Sequence, residues 1–192
     1  MSSADTLADT RPILVRPSRE GDVEAMLAIY RRHVRHGVED GVEDGGPTES
    51  DDLQDRRKNL RSRRFPHVVA AQDGAVVGYA YAVLFRKRPA YRFTVKHSIY
   101  VRDDRLGLGV GGLLMQALID ACAAAGFRQM IGYIDADNAP SLGLHQKFGF
   151  ARVGLLPGVA YRHGRWADTV MVQRALGLGA TRAPTASAAG KK

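Results

Sequence analysis

Val101-Arg-Asp-Asp-Arg-Leu-Gly107-Leu-Gly109-Val-Gly111-Gly112 runs straight into Leu113-Leu-Met-Gln-Ala-Leu118-Ile-Asp-Ala121, and the reading of this stretch decides the fold. Ahead of it, Phe93 to Val101 alternates as a strand does. Phe93, Val95, His97, Ile99 and Val101 share one face, and Thr94, Lys96, Ser98 and Tyr100 the other. Behind it, Val110, Leu113, Leu114, Ala117, Leu118 and Ala121 recur at helical spacing, and Gly126 stops the helix. Glycines between a strand and a helix let the backbone come close to a ligand. They also free several N–H groups at the helix start, where about half a positive charge favours phosphate or pyrophosphate. A phosphorylated cofactor is the expected ligand.

Gly107, Gly109 and Gly112 literally match the dinucleotide-binding fingerprint, and Asp135 lies near the offset of a ribose-binding acid. Two features argue against that reading. The polar turn Arg102–Leu106 separates the strand from the glycines, and the chain reaches this unit only after an antiparallel meander, whereas a dinucleotide fold begins with it. A Walker loop fails because no Gly-Lys-Ser/Thr follows.

Working outward, Ile13–Arg16 reads as a short strand ended by Pro17, and Ser18 is expected to cap a helix carrying Val23, Met26, Leu27, Tyr30 and Val34. Gly37 to Thr48 reads as an acidic loop and Asp51 to Arg64 as a second helix. Strands His67–Gln72 and Ala75–Phe85 flank Asp73-Gly74, a strong hairpin signal. Gln129–Asp135 is a strand, Pro140–Phe148 a short helix, and Phe150–Leu156 and Trp166–Arg174 the last strands. The order predicts an α+β fold with a mixed, mostly antiparallel twisted sheet flanked by about four helices. Residues 13–176 form the expected single domain, between a disordered lead over 1–12 and a disordered tail over 177–192.

With 192 residues, the chain is long enough to fold without a metal or disulfide staple. Cys122 is the only cysteine, which excludes an internal disulfide; it is expected to pack rather than react. The acidic loop lacks the alternating carboxylates of a calcium loop, so no metal is expected. No apolar run reaches the length of a membrane span, and Met1–Arg11 lacks the apolar core of a secretory signal, so a cytoplasmic setting is expected. The net charge of +8 raises the question of nucleic acid. The densest cluster, Arg56 to Arg64, sits beside Asp51, Asp52 and Asp55 with no interleaved aromatic, so no nucleic-acid partner is expected.

Four segments in order carry a resemblance. They are Thr94-Val-Lys-His-Ser-Ile-Tyr-Val101, Ile134-Asp-Ala-Asp-Asn-Ala139, Leu144-His-Gln-Lys-Phe-Gly-Phe150 and Gly164-Arg-Trp-Ala-Asp168. With the glycine turn they resemble the GNAT superfamily of N-acetyltransferases, and more closely its phosphinothricin and methionine sulfone/sulfoximine subgroup, from about Ile13 to Leu176. The resemblance implies acetyl-CoA as donor, a small amino-acid-like amine as acceptor, and a homodimer. It implies that the Ile99, Tyr100 and Val101 backbone takes the pantetheine arm like an added strand. The Val101 N–H then polarises the thioester carbonyl. The amides of Gly107, Leu108, Gly109, Val110, Gly111 and Gly112 hold the pyrophosphate, and Asn138 and Ser141 contact the pantetheine or acyl end.

The attacking amine must lose a proton and the leaving thiolate must gain one, tasks for acid–base groups. His145 stands where many members carry a tyrosine acid and where the subgroup carries a histidine. Lys96 stands where the subgroup has a glutamate base. A lysine is protonated at neutral pH unless buried, which leaves His97, a water chain or a neutralised Lys96 as base. Arg86, Lys87 and Arg88, with Lys96, His97 and Ser98, make the expected acceptor-binding set and favour an acceptor with a free carboxylate. Trp166 is expected to pack, to frame the acceptor pocket or to make a dimer contact, with Asp168 orienting it. Two other readings are a protein or peptide amine acetyltransferase, served by Glu39–Asp44, and a CoA-binding module without catalysis.

Overall fold

The computed structural model describes residues 11–37, 50, 53–55, 57–58, 65–162 and 164–184. In chain order the elements are β1 (Leu14–Pro17), α1 (Val23–Gly37), β2 (His67–Gln72), β3 (Ala75–Leu84), β4 (Thr94–Val101), α2 (Val110–Ala124), β5 (Gln129–Asp135), α3 (Ala139–Lys147), β6 (Ala151–Arg162) and β7 (Arg165–Ala175). The strands form one sheet in the order β1-β2-β3-β4-β5-β7-β6. Every pairing is antiparallel except β4 with β5. That parallel joint follows from α2, the crossover between the two strands. The fold is α+β with a mixed sheet, as the element order implies.

Asp73 and Gly74 both take positive φ, 51° and 79°, which gives the turn the twist that β2 and β3 need. On β3, Gly78 faces α2, where a Cβ would lie 3.0 Å from Leu114 and 3.1 Å from Val110. The next residue, Tyr79, stacks on Tyr100, whose ring meets Tyr30 of α1. Alternation therefore puts α1 and α2 on opposite faces of the sheet. β4 pairs with β3 without a break from Val95–Leu84 to Val101–Gly78, so its expected parity holds.

The face that α2 buries differs from the expected stripe. Val110, Leu114, Met115, Leu118, Ile119 and Cys122 are buried, while Leu113 is 44% exposed. The helix is apolar nearly all round, so spacing alone does not choose the face; contact with β2 and β3 does. Ser18 does not cap α1: its hydroxyl is buried without a partner. A turn over Glu20–Asp22 precedes the helix instead, and Asp22 accepts the Arg19 N–H at 2.6 Å. The helix expected over 51–64 lies largely outside the described residues, although 53–55 and 57–58 are helical. Residues 38–48 of the acidic loop and 1–10 of the lead also lie outside them. β6 and β7 run beyond their expected ends, to Arg162 and from Arg165. Of the expected tail, 177–180 form turns, with Gly179 N–H on Leu176 and Thr181 N–H on Leu178.

Arg16 forks onto Asp22 at 2.7 and 2.8 Å, tying β1 to the start of α1. Burial alone would raise the Asp22 carboxyl, but Arg16 and the Arg19 amide outweigh it and hold the group below the ordinary carboxylate value. This contribution is therefore complete above the unfolded value near ~4 and fades as pH falls through the lowered folded one. Asp22→Asn is expected to cost about 3 kcal/mol at neutral pH by leaving Arg16 without its charge partner. Thermal unfolding of both proteins, at neutral pH and again in strong acid, checks this. The two midpoints should converge in acid; a gap that persists there would mean the fork is not its source.

Candidate active site

β4 and β5 run side by side only where Thr94–Lys96 faces Gln129–Ile131, and then separate. Phe85 N–H donates to Thr94 O at 3.0 Å and Arg102 N–H to Val77 O at 2.9 Å, so the even-numbered residues of β4 bond to β3. The ladder's alternation turns the N–H and C=O groups of Ile99 and Val101 the other way, into the opening beyond the last β5 pair. The Val101 carbonyl accepts from His33 Nε2 of α1 at 2.9 Å.

One wall of this opening is the start of α2. Gly107 and Gly109 hold φ of 74° and 83°, and α2 begins at Val110 without a side-chain cap. Gly111 faces Leu144 and Val101, where a Cβ would lie 3.3 and 3.8 Å away, so the glycines let α2, α3 and the end of β4 meet. On α3, Asn138 caps the helix by accepting the Ser141 N–H at 3.0 Å. The Ser141 carbonyl in turn lies 2.7 Å from His145 Nδ1, so the cap also orients this imidazole.

His145 meets His97 of β4 with their Nε2 atoms 2.9 Å apart. His97 Nδ1 lies 3.1 Å from the Ile131 carbonyl, at the point where β5 stops pairing. Both rings are buried, 9% and 5% exposed for His97 and His145, with Phe150 against each at 5.3 and 5.1 Å. Burial, and then the charge of His145, pushes His97 down to about 3. Burial also lowers His145, opposed by the Ser141 carbonyl. At Gly132 of β5 a Cβ would lie 3.0 Å from His97, 3.3 Å from His145 Nε2 and 2.9 Å from Val172. Gly132 leaves the space the two rings occupy, and a glycine inside a strand was the only sequence signal of it. Neither Gly132 nor His33 stood out in the sequence.

Lys96 and Ser98 lie on the opposite face of β4 from His97, with Tyr100, whose phenol burial raises. Lys96 is exposed. Arg86, Lys87 and Arg88 are exposed at the end of β4 away from Val101, and Arg86 sits over Phe85 and Tyr91 at 5.2 and 5.5 Å. The structure thus groups His97, His145, Val101 and the glycine turn, and sets the basic loop apart from them. Trp166 does not pack in the core: it is 67% exposed, edge-on to Tyr161 at 5.4 Å. Asp168 accepts the Gly158 N–H at 2.9 Å instead of orienting Trp166. Burial pushes the Cys122 thiol up to about 12, so it stays a packed, protonated group. Among the described residues no cluster of His, Cys, Asp or Glu is arranged to hold a metal.

The profile of the acetyltransferase (GNAT) family matches residues 25–150. The chain belongs to this family. It is 41% identical over 171 residues to a phosphinothricin N-acetyltransferase of Alcaligenes faecalis, covering 88% of this chain and 86% of that protein. An L-methionine sulfoximine/L-methionine sulfone acetyltransferase of Pseudomonas paraeruginosa is 37% identical over 163 residues, covering 83% and 92%. Among solved structures, a phosphinothricin acetyltransferase from Sinorhizobium meliloti in complex with AcCoA superposes with a TM-score of 0.85 at 38% identity, covering 92% of this chain and 95% of that one.

Proposed function

We propose that this GNAT acetyltransferase moves an acetyl group from acetyl-CoA to the amine of a small amino-acid-like acceptor, of the phosphinothricin or methionine sulfoximine/sulfone kind. The activity class follows from membership of the family, and the acceptor from relatives that bear those names. The observation that carries the reading is the opening beyond Lys96–Ile131, with the main chain of Ile99 and Val101 on one side and a buried His pair at its foot.

In this reading the amides from Gly107 to Gly112 hold the diphosphate at the start of α2. Ile99 and Val101 pair with the pantetheine arm as a missing strand would, and the Val101 N–H faces the developing oxyanion. The amine attacks the thioester directly in a ternary complex, and His145 gives the leaving thiolate its proton. Asn138 acts first as the cap that sets Ser141 and hence His145. Lys96 and the Arg86–Arg88 loop attract an acceptor with a free carboxylate.

A homodimer belongs to the same proposal. Val153, Val159, Tyr161 and Trp166 expose apolar surface on β6 and β7, which a second copy would cover. So does a cytoplasmic setting; among the described residues no helix is long and apolar enough to cross a membrane. Thiol release from acetyl-CoA with a panel of amines tests the reading. Turnover with phosphinothricin or methionine sulfoximine, well above that with peptides, is the expected result. Turnover with peptides alone, or CoA binding with no turnover, would overturn it.

A further inference from the structure

The two histidines carry a proton count that their contacts impose. Carbonyl oxygens only accept, so the contacts to Ile131 at 3.1 Å and to Ser141 at 2.7 Å require a hydrogen on both Nδ1 atoms. A neutral imidazole has one N–H, so two neutral rings would point bare Nε2 lone pairs at each other across 2.9 Å. A single proton between them turns that repulsion into an N–H···N bond. We propose that His97 and His145 work as one proton-sharing unit, in which His97 is a positioning residue that steadies the proton His145 gives up and takes back. This rests on the acetyltransferase reading above and assigns the base that Lys96 leaves unfilled.

The surroundings oppose a second charge on the pair. Ile131 and Gly132 of β5, Val172 of β7, Ser141 of α3 and Phe150 surround the rings, and among the described residues no carboxylate acts on either. A second proton meets both burial and the charge already present, which is why His97 is pushed so low. The step balances. The acceptor enters as the free amine, its ammonium proton having gone to solvent. The N–C bond forms and the C–S bond breaks. The shared proton goes from His145 Nε2 to the sulfur, and the nitrogen's surplus proton refills the pair. The unit starts and ends with one proton, serving as acid and base in a single turnover.

His97→Leu removes the acceptor for that proton, and His97→Gln offers a carbonyl oxygen in its place. In His97→Leu, kcat is expected to fall by about tenfold or more, with its alkaline limb moved about one pH unit or more to lower pH, since an isolated buried imidazole holds its proton less well. Acetyl-CoA affinity should be retained, and His97→Gln should restore part of the rate. Because His97 acts through His145, His97→Leu combined with His145→Gln should be no slower than His145→Gln alone. In the unaltered protein with ¹⁵N-labelled histidine, one strongly deshielded proton coupled to both Nε2 nuclei is expected, a readout independent of how any variant folds. An unshifted pH limb in a folded His97→Leu protein, a further loss in the double variant, or absence of the shared resonance would each overturn the proposal. Failure of the unaltered enzyme to release thiol would instead overturn the acetyltransferase reading.

Discussion

His145→Ala is expected to lower kcat by about 10²- to 10⁴-fold, the range for losing a positioned acid–base group. The acetyl-CoA dissociation constant should change little, because the proposed coenzyme contacts are main-chain atoms of β4 and of the turn before α2. The imidazole sits on the second turn of a helix whose first turn Asn138 caps, and its Nδ1 is fixed on the Ser141 carbonyl. Steady-state rates from thiol release and binding by calorimetry separate the two quantities. A rate left within a few-fold of the original would remove His145 from the chemistry. An equal loss of binding would mean that the ring supports the coenzyme instead.

Gly132→Ala should be nearly as damaging, although it adds only one methyl group. Its Cβ would lie 2.9 Å from Val172, itself 2% exposed, and 3.0 Å from His97. Val172 has little room to give, so the His97 ring is driven off the Ile131 carbonyl and away from His145. A displacement of that size near the chemistry costs about 100-fold in rate, and the overpacking costs about 1–3 kcal/mol of stability. Gly143→Ala on α3 is the control. A Cβ there meets nothing within 4 Å, and alanine in a helix interior gains about 1 kcal/mol over glycine. The pair of variants should therefore part in opposite directions in thermal unfolding, with only Gly132→Ala slowed. An active Gly132→Ala enzyme would show that the ring contact is dispensable.

Much of the frame was legible because local signals agreed. His67–Gln72 and Gln129–Asp135 begin and end as strands where the sequence places them, the first bounded by Asp73-Gly74. Ile99 and Val101 close β4 and the glycine turn leads into α2, in the order the sequence implies. What was hidden depends on contacts between distant segments. The buried face of α2 is chosen by β2 and β3, since leucines and alanines line the helix on every side. The chain entering α1 is held by Asp22 with Arg16 and the Arg19 N–H rather than by Ser18. The approach of His97 to His145 spans 48 residues and needs the gap at Gly132, so no local pattern reports it. Packing was one expectation for Trp166, yet the long β6–β7 hairpin carries it into solvent.

Calorimetric titration of the purified protein with acetyl-CoA and with S-acetylpantetheine, which lacks the diphosphate, reaches the coenzyme site most directly. One acetyl-CoA should bind per chain. Gly109→Val should weaken that binding about tenfold or more, roughly 1.4 kcal/mol or above, by disturbing a φ of 83° at the helix start. Its affinity for S-acetylpantetheine should stay as it was, because a Cβ at Gly109 meets no protein atom within 4 Å. No heat with acetyl-CoA, or an equal loss for both ligands, would contradict a diphosphate held by the start of α2.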